Sequence, residues 1–101
     1  MPSKLFKAEG DTLTLYRDPD LAEIEKVKAA MYEIFGQTAD QAVTLDLSLM
    51  AGISSMTVGM VVALHLRASE ADRKLRIRLN PKLLKLFELT MLTDTLSLEV
   101  V

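Results

Sequence analysis

The stretch from residue 45 to residue 66 constrains the fold more than any other part of the chain. It begins as an apolar strand pattern, passes through a loop of small and hydroxyl residues, and continues as an apolar helix pattern. Ser54, Ser55 and Thr57 lie at or just before the predicted start of this helix. Because a helix start presents free N–H groups and a partial positive charge, this corner is a candidate for chemistry, for a covalent switch or for packing alone.

Strand and helix patterns also alternate before the corner. Two short alternating segments flank Gly10 and Asp11, which predicts a hairpin. A first helix follows, with Asp18 as its predicted cap, Pro19 in its first turn and Gly36 as its stop. Its apolar stripe is predicted to consist of Leu21, Ile24, Val27, Met31, Ile34 and Phe35.

The strand and the helix that flank the corner loop are both apolar. Residues 42–47 are almost continuously apolar, which favours a central strand, and the helix over residues 57–71 is apolar on much of its circumference. We therefore expect this second helix to be buried more deeply than the first. Residues 74–79 alternate strictly, with a basic outer face, and Asn80 caps a third helix with an apolar side that ends near Leu89. Leu96, Leu98 and Val100 alternate as the last strand.

The order β-β-α-β-α-β-α-β predicts a single α/β domain over residues 1–101. Alternating strands and helices imply a mixed, mostly parallel sheet joined by right-handed crossovers, with the helices mainly on one face.

Composition excludes several classes of function. The 101 residues carry a formal net charge of -2, which gives no general attraction to nucleic acid. No cysteine is present, which excludes disulfides, thiolate nucleophiles and cysteine-based metal sites, and the one histidine, His65, leaves no histidine pair to bind a metal. Because the polar residues also do not converge on a nucleophile–base pair, we expect no metal site, no cofactor and no catalytic residues. The first ten residues have no signal-peptide core, and the longest apolar run is too short to enter a membrane. We expect a cytoplasmic protein that is not an enzyme.

Several residues around the corner fall on a known pattern. The matching residues are Asp46, Leu47 and Ser48 after the strand, Ile53 before the serines, Ser55 as the first serine, and Gly59 as the second glycine. With the order of elements over nearly the whole chain, they resemble the STAS domain of bacterial anti-sigma-factor antagonists. Residues 84–92 are similar to the third helix of that family and the exit that follows it, with Met91 in the place of a glycine.

The corner also departs from the family pattern. Ser54 stands where the family has aspartate, and Thr57 falls on the first glycine. Met56 falls on the usual phosphoacceptor, a serine or threonine that the family's partner kinase modifies. Because methionine carries no hydroxyl, the resemblance implies no phosphorylation at this position. Ser55 and Thr57 remain as displaced phosphorylation candidates.

Three interpretations of the corner stay open. In the first, Ser54, Ser55 and Thr57 only cap the helix, which is a common role for hydroxyl residues. In the second, Ser55 or Thr57 is modified, and the added negative charge changes docking. In the third, an exposed Met56 makes the corner a constitutive apolar docking surface, since methionine adapts to varied partners.

The leading hypothesis is a regulatory module that acts in signal transduction and transcription by partner switching. By resemblance, its partner is an anti-sigma factor that is also a serine-protein kinase. The partner-binding residues would be Ile53, Ser54, Ser55, Met56, Thr57, Val58 and Met60. The alternative is an accessory subunit of a membrane transport system for lipids or anions. A homodimer is also compatible with the sequence, and a further C-terminal helix, frequent in the family, would cover apolar surface near the last strand.

Overall fold

The computed structural model describes residues 4–37, 42–90 and 93–101, which form a five-stranded mixed sheet and three helices. The strands are β1 (Phe6–Glu9), β2 (Thr12–Leu15), β3 (Ala42–Asp46), β4 (Lys74–Leu79) and β5 (Ser97–Val100). The helices are α1 (Leu21–Gln37), α2 (Ser55–Glu70) and α3 (Pro81–Leu89). The predicted α/β class is confirmed, and the elements follow one another as β-β-α-β-α-β-α-β. The predicted exit at Met91 lies outside the described residues.

The strands lie side by side in the order in which they occur along the chain. β1 pairs antiparallel with β2 at one edge, so the predicted hairpin is confirmed, and its turn holds Gly10 at a φ of 62°. Each later strand pairs in parallel with the one before it. In the middle of the sheet Leu45 lies between Leu13 and Ile77. These three fully buried side chains form the centre of the core.

One face of the sheet is apolar and the other is polar. On β4, Leu75, Ile77 and Leu79 are buried, whereas the alternating basic residues are exposed or half-buried. The connections from β2 to β3, from β3 to β4 and from β4 to β5 all proceed in the same direction across the sheet. Because such connections are right-handed, the three helices lie on the same face of the sheet, which is the apolar one. On the polar face Arg78 lies between two carboxylates, 3.8 Å from Asp46 and 3.5 Å from Glu99.

Three details of the helices differ from the sequence-based expectation. Leu21 is largely exposed because it is the first residue of α1, and Leu89 is largely exposed because it is the last of α3. α1 passes through Gly36 and reaches Gln37. α1 and α2 each bury five side chains, and the exposed fractions of these side chains are at most 8% in α1 and at most 3% in α2, so the expected deeper burial of α2 is confirmed. The apolar Leu66 of α2 faces away from the core.

The central strand provides the first test. Leu45 is fully buried, so we expect Leu45→Ala to lower the free energy of unfolding by about 2–5 kcal/mol, through lost burial and the cavity left behind. The matched control is Leu89→Ala, which removes the same atoms from an exposed site and is expected to cost less than about 0.5 kcal/mol. Urea denaturation followed by circular dichroism measures both. Equal losses would contradict a core centred on β3.

Candidate functional site

The corner lies at the end of the sheet that is formed by the carboxyl ends of the parallel strands. The chain leaves β3 at Asp46, crosses a loop over residues 47–54, and enters α2 at Ser55. Ser54 is the cap residue, with extended backbone (φ -76°, ψ 162°) and a side chain that accepts a hydrogen bond from the backbone N–H of Thr57. The predicted capping role of the serine is therefore confirmed.

A network of hydrogen bonds joins this helix start to the end of β2. The Asp18 carboxylate accepts the Thr57 hydroxyl at 2.6 Å and the backbone N–H of Ser54 at 3.1 Å. The two hydroxyl oxygens, Ser54 Oγ and Thr57 Oγ1, are 3.2 Å apart. We call Asp18, Ser54 and Thr57 the corner network.

The direction of each bond in the corner network follows from the single hydrogen on each hydroxyl. Thr57 donates its hydrogen to Asp18, so its oxygen is left to accept from Ser54 Oγ. Ser54 Oγ in turn accepts from the Thr57 backbone N–H at 3.2 Å. The three residues therefore satisfy one another, and the fully buried Thr57 side chain has a charged acceptor.

Asp18 has a different role from the predicted one. Asp20 caps α1: its carboxylate accepts from the Glu23 N–H at 2.8 Å, and the Glu23 carboxylate accepts from the Asp20 N–H at 3.1 Å. This reciprocal pair is a capping box, with Asp20 in the position of the usual serine or threonine. Asp18 is thus free to reach the start of α2, because β2 and β3 are parallel neighbours that end at the same edge.

An ion pair holds the segment that carries Asp18. Arg17 contacts both carboxylate oxygens of Glu23, one of them at 2.7 Å. The hydrogen bond from Arg17, reinforced by the backbone N–H of Asp20, lowers the pKa of Glu23 from 4.5 to about 2. The charged form of Glu23 is therefore the one that stabilises this turn.

Asn80 fixes the corner loop from the other side, at the end of β4. Its side-chain N–H group donates to the carbonyl oxygens of Ser48 at 3.0 Å and Met50 at 2.7 Å. Its side-chain oxygen accepts from the Leu83 N–H, so the predicted cap of α3 is confirmed. Asp46 also accepts from both the N–H and the hydroxyl of Ser48. The loop is thus tied to two neighbouring strand ends and to its own strand.

The predicted partner-binding residues divide into three groups by exposure. Ser55 and Met56 are exposed, and the exposed fraction of Met56 is 41%. Ile53, Ser54 and Val58 are half-buried. Thr57 and Met60 are buried, and both belong to the interior side of α2. Sequence reasoning did not single out Leu49, which is 63% exposed in the corner loop.

The corner presents a surface rather than a pocket. Two shallow hollows, of about 480 and 350 Å³, lie beside Lys74, the first residue of β4, at the end of that strand opposite to the corner. No corner residue lines either of them. Within the described ranges no group of three histidine, cysteine, aspartate or glutamate side chains could hold a metal ion. None of the helices in the same ranges is long and apolar enough to cross a membrane.

Comparison with known proteins assigns no family to this chain. No protein-family model matches the sequence, and no curated protein matches it either. The resemblance to STAS domains therefore depends on the corner residues and the order of the elements, and its functional content is a proposal.

The low pKa of Glu23 predicts how stability depends on pH. Because this pKa is lower in the folded chain than in the unfolded chain, the charge stabilises the fold above about pH 4.5, and the contribution is lost as the pH falls toward about 2. We expect Glu23→Gln to weaken this acid dependence, whereas Glu33→Gln, at an exposed site on the same helix, keeps it. Urea denaturation at about pH 7 and about pH 3 measures the difference. Identical acid sensitivity of Glu23→Gln and wild type would exclude this ion pair as a cause.

The corner network can be tested by isosteric substitution. Thr57→Val removes the buried hydroxyl with little change in shape, and we expect a loss of about 1.5–3 kcal/mol because a bond to a charged acceptor is removed. Thr57→Ser is the matched control, since it retains the hydroxyl. A double-mutant cycle with Asp18→Ala isolates the pair, with an expected coupling of about 1 kcal/mol or more. Additive losses would show that the contact contributes nothing.

Proposed function

We propose that this protein is a non-enzymatic regulatory module, similar to anti-sigma-factor antagonists, that docks on its partner through the corner. The partner is an anti-sigma factor that is also a serine-protein kinase. One observation carries the proposal: Met56, at the position that resembles the phosphoacceptor site, is exposed in the first turn of α2. An apolar side chain takes the place of the hydroxyl that the family modifies.

The surroundings of Met56 support docking. Leu49 adds a second exposed apolar side chain to the same edge of the sheet, and the loop that carries it is held by Asn80. Apolar groups on a rigid frame bind with a small loss of conformational freedom. A standard interface needs about 800 Å² from each partner, which a domain of this size can provide.

The exposures of the hydroxyl groups bear on phosphorylation. Thr57 is fully buried and its hydroxyl is bonded to Asp18, so a kinase would reach it only after the start of α2 had opened. Ser55 is exposed, which leaves it as the accessible candidate. We therefore propose that docking does not depend on phosphorylation at the usual acceptor position, which Met56 occupies. Any phosphorylation would occur at Ser55.

The alternative partner is a subunit of a membrane transport system for lipids or anions. In such a role the domain would stabilise a transport ATPase through the same surface. The replacement of the acceptor hydroxyl by the Met56 thioether favours this possibility as well, because no phosphorylation would be needed. The choice between the two partners is an outcome of the binding experiment.

The proposal is tested by titration calorimetry with purified anti-sigma factor kinases and, in parallel, with purified transport ATPase subunits. We expect Met56→Asp to weaken kinase binding by about tenfold or more, because it places a charge in the docking surface. An acidic residue in the first turn of α2 suits the helix dipole, so the fold is retained. The control is Lys26→Asp, on the exposed outer side of α1.

Two results would contradict the proposal. One is equal kinase binding by Met56→Asp and wild type. The other is failure of every kinase to bind while an ATPase subunit does, which would assign the accessory role. Incubation with kinase and ATP, followed by intact-mass analysis, examines the switch. We expect no phosphate on Ser55→Ala, and a phosphate on Thr57 would show that the helix start opens.

A further inference from the structure

The methionines of this protein differ sharply in exposure. Met31, Met50 and Met60 are almost completely buried, with exposed fractions of 0%, 4% and 3%. Met56 is the exception among the methionines that the structure describes. Because an oxidant must reach the sulfur, exposure decides which methionine reacts first.

We propose that Met56 is a site of reversible oxidation, and that its sulfoxide is the switched state of the corner. The regulatory part of this inference rests on the proposed docking function, whereas the chemical part rests on exposure alone. The corner would thus keep a covalent switch at the same position, with sulfur chemistry in place of phosphorylation.

The reaction needs a two-electron oxidant such as hydrogen peroxide. The thioether sulfur donates an electron pair to one peroxide oxygen, the O–O bond breaks, and an S–O bond forms. The second oxygen leaves as water after proton transfer, so the sulfur is oxidised and the peroxide is reduced. A methionine sulfoxide reductase with a dithiol reverses the change: the sulfoxide oxygen leaves as water and the dithiol becomes a disulfide.

The start of α2 can accommodate the new oxygen without loss of the fold. Ser54 accepts hydrogen bonds from the N–H groups of Thr57 and Val58, through its side chain and its carbonyl respectively. The N–H groups of Ser55 and Met56 precede the first intrahelical bond and have no acceptor in the described part of the chain. Side chains on a helix lean toward its N-terminus, so a sulfoxide oxygen at Met56 lies near these donors and the positive end of the dipole.

Oxidation would change the docking surface and leave the frame intact. A flexible apolar side chain becomes a polar one, which disrupts methionine contacts with a partner. The corner network contains no methionine, so the bonds among Asp18, Ser54 and Thr57 are preserved. Loss of docking therefore requires no unfolding.

The experiment is a timed treatment of the whole protein with hydrogen peroxide, followed by peptide mapping. We expect one added oxygen at Met56 before any at Met31, Met50 or Met60. The melting temperature of the singly oxidised protein is expected to shift by less than about 4 °C. On a hydrophobic-interaction column the protein oxidised at Met56 is expected to elute earlier than the reduced form. Treatment with dithiothreitol and methionine sulfoxide reductases for both sulfoxide epimers is expected to restore the original elution.

The matched variant Met56→Leu keeps an apolar side chain that peroxide does not oxidise. Under the same treatment its peptide map is expected to show no added oxygen at position 56, and its elution is expected to shift less than that of the wild type. Oxidation of Met50 or Met60 as fast as Met56, or unfolding upon single oxidation at Met56, would overturn the inference. In the calorimetric titration, equal kinase binding by reduced and oxidised protein would overturn the switch, whereas absence of binding by the reduced protein would overturn the docking function and leave the site of oxidation standing.

Discussion

The geometry of the corner depends on the hydrogen bonds that the Asp18 carboxylate accepts. This residue follows β2 and binds a backbone N–H and a side-chain hydroxyl at the start of α2, a helix that follows the neighbouring strand. A loop between a strand and a helix usually has many conformations available, and ordering it costs entropy. Here the Asp18 carboxylate and the Asn80 amide hold the loop from the ends of β2 and β4, the two strands that flank β3. The exposed side chains of the corner are therefore presented by a fixed backbone.

The distribution of polar and apolar groups at the corner follows from this arrangement. The groups that hold the backbone are satisfied by one another, and they range from the buried Thr57 to the exposed Asp18. The side chains left outside include Leu49 and Met56, which are 63% and 41% exposed. A contiguous exposed apolar patch is typical of sites that bind other proteins, which is the role proposed for this corner. The fold thus separates the residues that build the corner from those available for contact.

Local patterns in the sequence predicted the elements well, whereas contacts between elements were predicted less well. The hairpin, the alternation along β4 and the Asn80 cap each depend on neighbouring residues, and the structure confirms them. Asp18 was assigned to the nearest helix because Asp-Pro is a common helix start, but the capping box at Asp20 occupies that role. A signal for its true contact existed: Asp18 and Ser54 follow strands that end side by side. The deeper burial of α2 was predicted correctly from its apolar composition, which did not reveal that Leu66 would be exposed.

The order of the strands has a consequence for how the chain assembles. Each strand pairs with its predecessor in sequence, so the sheet can grow by one strand and one helix at a time, and no strand has to be inserted between two others. Each segment that must close between paired strands is then short, so the entropy cost of closing it is small. This favours rapid folding for a parallel sheet. The contact between Asp18 and Thr57 spans 39 residues, so the loop that it closes costs more entropy than the turn of the hairpin. Native contacts at the corner are therefore expected to form later in folding than those of the hairpin.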